Sequence, residues 1–351
     1  MNDTRTIRIL DASTNRAVEG LRVVEDYVRF ALDDGHLTRR VKELRHELAG
    51  ICDALPRQAR LAARETRQDV GTEVTTPTES RRTDAWDVCL ASLGRTKQSL
   101  RSLEEYCKVE SPEVASQFET LRYRLYTLER ALGITFDSCQ RLHDVRLCVL
   151  IDAGDTLDSF RKLVAELLAA GVGMIQLREK RLSDRQLIER ARVLKSMITE
   201  QDLGALMIVN DRADIAAIAR ADGVHLGQDD VSVKDARTII GPRKLIGVST
   251  HSLEQARAAV LDGANYLGAG PTFPSTTKAF DNFPGLDFLK QVASEIRLPT
   301  FAIGGINAEN LEQVLATGTM RVALSGAIVA APAPGAAANK LLLLLEKRVP
   351  Q

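Results

Sequence analysis

The chain of 351 residues carries no excess of either charge. Forty-seven basic residues balance 47 acidic ones, which excludes bulk attraction to nucleic acid or to an anionic membrane and leaves recognition to local clusters. Cysteine is scarce and unpatterned. Cys52, Cys89, Cys107, Cys139 and Cys148 are odd in number and contain no CxxC pair, so neither a zinc knuckle nor a disulfide framework is expected. Long apolar runs are missing as well. The longest aliphatic stretch is Leu341 to Leu345, whereas a membrane helix needs about 18 residues. The start, Met1-Asn-Asp-Thr-Arg-Thr6, shows no signal-peptide pattern. These absences predict a reduced, cytoplasmic protein whose ligands are small molecules, with a homo-oligomer left open.

What is present divides into two rhythms, as the length predicts for two domains. Up to residue 132 apolar positions recur at helical spacing: Ala17, Leu21, Val24, Val28 and Ala31, then Leu37, Val41, Leu44, Leu48, Ile51 and Leu55. A third stripe takes Trp86, Leu90, Leu93, Leu100, Leu103 and Cys107, and a fourth runs from Val114 to Leu132 behind Pro112, with Gly133 as a stop. This half reads as an all-α bundle, with a turn-rich loop over Asp69 to Pro77. Residues 133–146 read as a short connector. From Leu147 to the end, eight brief β-branched or aliphatic runs each precede a helical pattern, beginning at Leu147, Met174, Ala205, Gly223, Leu245, Tyr266, Thr300 and Arg321. Eight β-α units exceed the five to seven strands usual in an open doubly wound sheet and predict an α/β domain, a (β/α)8 TIM barrel over 147–351 with its own core.

A barrel places its chemistry where strands end. Gln176, Arg178 and Lys180 alternate along the second strand and share a face, offering an amide and two cations to an anion with several oxygens. Asp211 and Asp230 end the neighbouring third and fourth strands. Two carboxylates there suit Mg²⁺ shared with phosphate oxygens, while helix N-capping is the alternative for both. His225 and His251 read as structural residues. After the sixth strand, GPTFPSTTK (Gly270 to Lys278) sets four hydroxyls and a lysine on a loop that its two prolines keep out of regular structure. Gly304-Gly305 and Ser325-Gly326, after the last two strands, suit a second phosphate. Two anionic substrates are implied.

QLREK (176–180), VNDRADIA (209–216), DGVHLGQDD (222–230), IGVSTHS (246–252), GAGPTFPSTTK (268–278), AIGGI (302–306) and LSGAI (324–328) together resemble the thiamine-phosphate synthase family. The resemblance implies a magnesium-dependent transferase joining hydroxymethylpyrimidine pyrophosphate to hydroxyethylthiazole phosphate. The diphosphate leaves, and the thiazole nitrogen captures the pyrimidine methylene cation. By motif position Gln176, Arg178, Lys180, Asn210, Ser249 and Lys278 take the pyrimidine pyrophosphate, with Arg178, Lys180, Ser249 and Lys278 as the catalytic set. Asp211 and Asp230 take Mg²⁺, and Ser275, Thr277, Gly305, Leu324 and Ser325 lie near the thiazole phosphate. A thiazole tautomerase on the same barrel, or a barrel used as a phosphate-ligand sensor, are the competing readings. The full cluster of cations and carboxylates disfavours the tautomerase.

The helical half holds nineteen arginines against three lysines within residues 1–132, a bias that suits bidentate oxyanion binding. Arg22 with Asp26, and Glu25 with Arg29, have the spacing of helical ion pairs. Gly20 in mid-helix marks close approach of a ligand or another helix. Arg45, His46, Arg64, Asp69 to Gly71, Arg95 and Arg101 are further candidates. NRAVEGLRVVEDYVRF (15–30) and LRHEL (44–48) resemble the helical domain fused to such synthases, which implies a hydroxymethylpyrimidine-phosphate kinase. No glycine-rich P-loop precedes a lysine here, and a structural or oligomerisation module is the alternative.

Overall fold

The computed structural model describes residues 4–66, 81–201, 204–274 and 284–347. The loop expected over Asp69 to Pro77 therefore lies outside the described residues. Two compact units are present, Met1–Leu132 and Gly133–Gln351. Among the described residues no helix is long and apolar enough to cross a membrane.

The first unit is all helix: α1 (Thr4–Tyr27), α2 (Gly35–Asp53), α3 (Arg57–Ala63), α4 (Ala85–Glu110) and the start of α5 (Pro112–Arg141). Asp34 and Asp84 cap α2 and α4 by accepting from Leu37 N and Asp87 N at 2.7 and 2.8 Å. The expected stripes form the core apart from Trp86, which is half-buried, and two exposed residues. Ala31 is exposed, because a π-helical turn over Val28–Leu32 follows α1 and rotates the face by about one residue. Leu90 is 41% exposed, and Cys89 is buried beside it instead. Gly20 is explained by packing: a Cβ there would lie 2.2 Å from Thr96 Oγ1 on α4, so the glycine lets α1 and α4 approach. Part of the arginine bias is internal. Glu25 pairs with Arg45 on α2 at 2.6 Å rather than with Arg29, and Asp11 takes Arg64 through two bonds of 2.7 and 2.8 Å. Glu104 holds Arg122 at 2.7 Å and also Arg101. All three carboxylates are buried, so each needs a fixed cation, and the planar guanidinium supplies one with directed donors.

The second unit is a closed barrel of eight parallel strands in sequence order: β1 (Leu147–Ile151), β2 (Met174–Leu177), β3 (Leu206–Asn210), β4 (Gly223–Leu226), β5 (Leu245–Thr250), β6 (Tyr266–Ala269), β7 (Thr300–Ile303) and β8 (Arg321–Leu324). Each strand falls on one of the runs read from the sequence, β5 extending one residue further, to Thr250. Cys148, Leu150, Met174, Ile208, Leu245, Tyr266, Phe301 and Ala323 fill the interior, and the residues between them face the outer helices. Alternation then carries Gln176, Asn210 and Ser249 inward, one step nearer the C-terminal mouth.

Gly133 does not stop its helix. The helix α5 continues to Arg141, so most of the expected connector is helical. A single glycine costs about 1 kcal/mol, and the contacts made by the following turns outweigh it. Ser138 accepts from Asn265 Nδ2 at 3.1 Å, and Arg141 donates to the Arg243 carbonyl at 2.8 Å. Leu142 and Val145 belong to the barrel's own core cluster. Residues 138–145 therefore form part of the floor of the barrel.

Candidate active site

The mouth of the barrel is organised around β2. Gln176 is 3% exposed, and its Oε1 has no hydrogen-bond partner, an arrangement that calls for a ligand donor. Arg178 N donates to the Ile151 carbonyl at 2.8 Å, extending the ladder one residue past the strand and fixing where the half-buried guanidinium leaves the wall. Glu179, between Arg178 and Lys180, is the internal anchor of this turn. Its carboxylate accepts from the backbone N–H groups of Ala153, Lys180 and Arg181 at 3.2, 2.8 and 2.5 Å. Burial pushes this carboxyl up, but the Arg181 side chain and those three N–H groups outweigh it and hold it at about 2. Arg181 thus satisfies Glu179, which leaves Arg178 and Lys180 turned to other duties.

Asp211 and Asp230 come together within hydrogen-bonding reach of one another. Burial raises the Asp211 carboxyl and the facing Asp230 raises it further, while Lys180 and Arg178 pull it partly back. Lys180 Nζ lies 3.8 Å from Asp211. Asp211 occupies the left-handed region at φ 61°, a conformation that aspartate tolerates better than most side chains and that is kept at functional sites. Neither carboxylate caps a helix. Arg212 precedes the helix Ala213–Ile218, and Ser232 caps the helix Val233–Ile240 through Asp235 N. Asp230 is tied instead to Gly227 N at 2.6 Å. Among the described residues no group of three or more His, Cys, Asp or Glu side chains is placed to hold a metal ion. A pair of carboxylates still suits a cation that completes its shell with phosphate oxygens and water.

Ser249 meets a network that the sequence did not reveal. Its hydroxyl lies 2.9 Å from His225 Nε2, and His225 Nδ1 lies 3.2 Å from the Tyr266 hydroxyl. Burial lowers the imidazole to about 4, so it is neutral near pH 7. Gly247 on β5 makes the room: a Cβ there would stand 2.1 Å from the Tyr266 ring and 2.5 Å from His225 Nδ1. A glycine inside a strand was the local signal available; the histidine and tyrosine that flank it come from the neighbouring strands β4 and β6. His251 Nδ1 donates to the Gly270 carbonyl at 2.5 Å and so ties the end of β5 to the segment after β6.

At the far side of the mouth Gly304 and Gly305 adopt φ 100° and 64°. Any side chain at either would strike Pro271 or Phe273 and Pro274, at 2.8 Å or less, so the pair is needed where the segment after β6 crosses the end of β7. Thr272 N and Phe273 N donate to Ile303 and Gly304 carbonyls there, at 2.9 and 3.0 Å. Leu324 is buried, and the Ser325 hydroxyl donates to the Leu150 carbonyl at 2.9 Å. Ser275, Thr277 and Lys278 lie outside the described residues.

The model of the thiamine monophosphate synthase family matches residues 147–328, and that of the ThiD2 family matches residues 8–131. A thiamine-phosphate synthase of Rhodopirellula baltica is 45% identical over 336 residues, 93% of this chain and 89% of that protein. Another, of Gloeobacter violaceus, is 41% identical over 329 residues, 94% of each. A solved thiamine phosphate pyrophosphorylase from Pyrococcus furiosus is 35% identical with a TM-score of 0.52, covering 58% of this chain and 96% of that one. A complete eight-stranded barrel with this mouth, matched over its length by the family model and accompanied by relatives aligned across both units, leaves one assignment: the chain belongs to the thiamine-phosphate synthase family.

Proposed function

We infer that the barrel joins hydroxymethylpyrimidine pyrophosphate to hydroxyethylthiazole phosphate, giving thiamine phosphate and pyrophosphate. The observation that carries this reading is the convergence of Arg178 and Lys180 on the facing Asp211 and Asp230, above the unpartnered Gln176. In the reaction the bond between the pyrimidine methylene and the diphosphate oxygen breaks, with its electron pair leaving on the diphosphate. The thiazole nitrogen lone pair then forms the new carbon–nitrogen bond. No proton need be taken by the protein, so the barrel's task is to stabilise charge growing on the leaving oxygens. Arg178 and Lys180 supply fixed cations for it, Asn210 and Ser249 hydrogen bonds, and Gln176 orients the pyrimidine from below. Lys278, Ser275 and Thr277 are assigned by motif position, and the thiazole phosphate is placed against Gly305, Leu324 and Ser325. Tautomerase and sensor readings leave the carboxylate pair without a purpose.

Asp211 and Asp230 fit Mg²⁺, because two facing carboxylates, one of them raised by burial and further by the other, are relieved by a shared dication. Bound there, the ion would neutralise diphosphate oxygens. Product formation is expected to need a divalent cation, and Asp211→Asn or Asp230→Asn to raise the magnesium concentration giving half-maximal rate by about tenfold or more. An unchanged titration in both variants would return the pair to a structural role. The protein is proposed to be cytoplasmic, acting on small molecules without nucleic acid or membrane. For the helical unit, the match to the ThiD2 family supports a kinase that makes hydroxymethylpyrimidine pyrophosphate from the monophosphate and ATP. Its test is ATP consumption that depends on the monophosphate; none would leave the unit as a structural or oligomerisation module.

A further inference from the structure

Ser249, on the reading above, faces the diphosphate, and its usefulness there depends on where its proton points. A hydroxyl that donates to an anion stabilises it; one that presents lone pairs repels it. The direction is set by the two residues behind it. His225 bridges Ser249 Oγ and the Tyr266 hydroxyl through its two ring nitrogens, at 2.9 and 3.2 Å. A neutral imidazole has one donor and one acceptor nitrogen, so the two bonds cannot both run the same way. Tyr266 is 2% exposed and sits in the barrel's apolar core, edge-on to Phe301 at 5.5 Å. The phenol proton has nowhere to go but His225 Nδ1. Were Nδ1 protonated instead, the phenol would accept from it and keep a buried proton without an acceptor, the more costly arrangement. Nδ1 is therefore the acceptor and Nε2 carries the hydrogen, donating to Ser249 Oγ. The Ser249 proton is left for the mouth of the barrel.

Two further features hold this arrangement. Gln228 Nε2 donates to the Ser249 carbonyl at 2.6 Å and fixes its backbone. A Cβ at Gly268 would stand 3.1 Å from His225 Cε1, so Gly247 on the strand of Ser249 and Gly268 on its neighbour β6 both yield space to seat the imidazole. We propose that Tyr266 is a positioning residue of the synthase reaction, which acts through the tautomer of His225 to make the Ser249 hydroxyl a donor toward the diphosphate of the pyrimidine substrate.

Nitrogen-15 spectra of the imidazoles in the full-length protein test this directly, with the His225 signals identified by their loss in His225→Gln. The native protein is expected to show His225 protonated at Nε2, and Tyr266→Phe to show a mixture of tautomers. Tyr266→Phe is also expected to lower kcat for thiamine phosphate by about tenfold with KM for the pyrimidine pyrophosphate changed less than threefold. Adding Ser249→Ala to Tyr266→Phe should then cost less than it does in the native background. The spectra need no substrate, so they decide the tautomer even if the synthase reading fails or Tyr266→Phe does not fold. A native His225 protonated at Nδ1 overturns the proposal. So does a Tyr266→Phe protein with native tautomer signals, or with losses that simply add to those of Ser249→Ala.

Discussion

Arg178→Ala is expected to lower the rate of thiamine phosphate formation by about a hundredfold or more while leaving the unfolding temperature near that of the native protein. The side chain and the backbone of this residue have separate duties. Its N–H holds the Ile151 carbonyl at 2.8 Å, a bond that alanine keeps, and the turn beyond it is anchored by Glu179 rather than by Arg178. What alanine removes is a guanidinium whose charge already acts on Asp211 across the mouth. Removing one preorganised donor from a site where charge develops costs about 3 kcal/mol of transition-state stabilisation. The loss should appear in kcat when both substrates are saturating, because the charge on the bridging oxygen grows only as the bond breaks. Lys278→Ala is expected to behave alike on the strength of its motif. Arg181→Ala is the informative contrast: Arg181 serves Glu179 and Asp152, so it should weaken the turn more than the chemistry. Turnover by Arg178→Ala within a few-fold of native would remove the diphosphate from this side of the barrel.

How far the site could be read from the sequence depends on whether a residue's role is local. Gln176, Arg178, Asp211 and Asp230 stand at strand ends, and strand ends are marked by the change from aliphatic to polar residues, so the barrel's geometry carries them to one mouth. Glu179 stands between Arg178 and Lys180 and looks like any surface carboxylate. One of its anchors is Ala153 N, from the segment after β1, and no spacing within QLREK announces that. The Tyr266 to His225 contact is hidden for a similar reason. It spans β4 and β6 across β5, and requires the register that sets both His225 and Tyr266 opposite Gly247. The helical stripes were legible until a π turn displaced Ala31. In the helical unit the arginine bias suggested an oxyanion site, yet Asp11, Glu25 and Glu104 show that part of it balances buried carboxylates of the unit itself. Composition reports the number of guanidinium groups and not which partner each one meets.

The same difference between local pattern and long-range contact governs where the barrel can be cut. Periodicity places the first strand at Leu147 and suggests that a chain beginning near Asp144 is complete. The floor of the barrel says otherwise. Leu142 is fully buried within the core cluster, and its carbonyl accepts from Arg321 Nη2 at 3.1 Å on β8. Ser138 satisfies the buried Asn265 amide, whose oxygen in turn holds Ile246 N and Arg237. Removing residues 133–143 therefore deletes one core leucine, a loss of about 2 to 5 kcal/mol by comparison with leucine truncations. It also strips acceptors from two donors that lie at least partly buried, at about 1 to 3 kcal/mol each where water cannot reach them. A net loss of about 5 kcal/mol is a large fraction of the stability of an ordinary domain and corresponds to about 10 to 20 °C in unfolding temperature. A chain beginning at Gly133 is expected to unfold cooperatively and to convert ready-made hydroxymethylpyrimidine pyrophosphate at the rate of the full-length protein. The chain beginning at Asp144 should unfold at least 10 °C lower or fail to fold. Thermal unfolding of the two side by side, followed by circular dichroism, decides the matter, and equal midpoints would mean that the last turns of α5 rest on the barrel without supporting it.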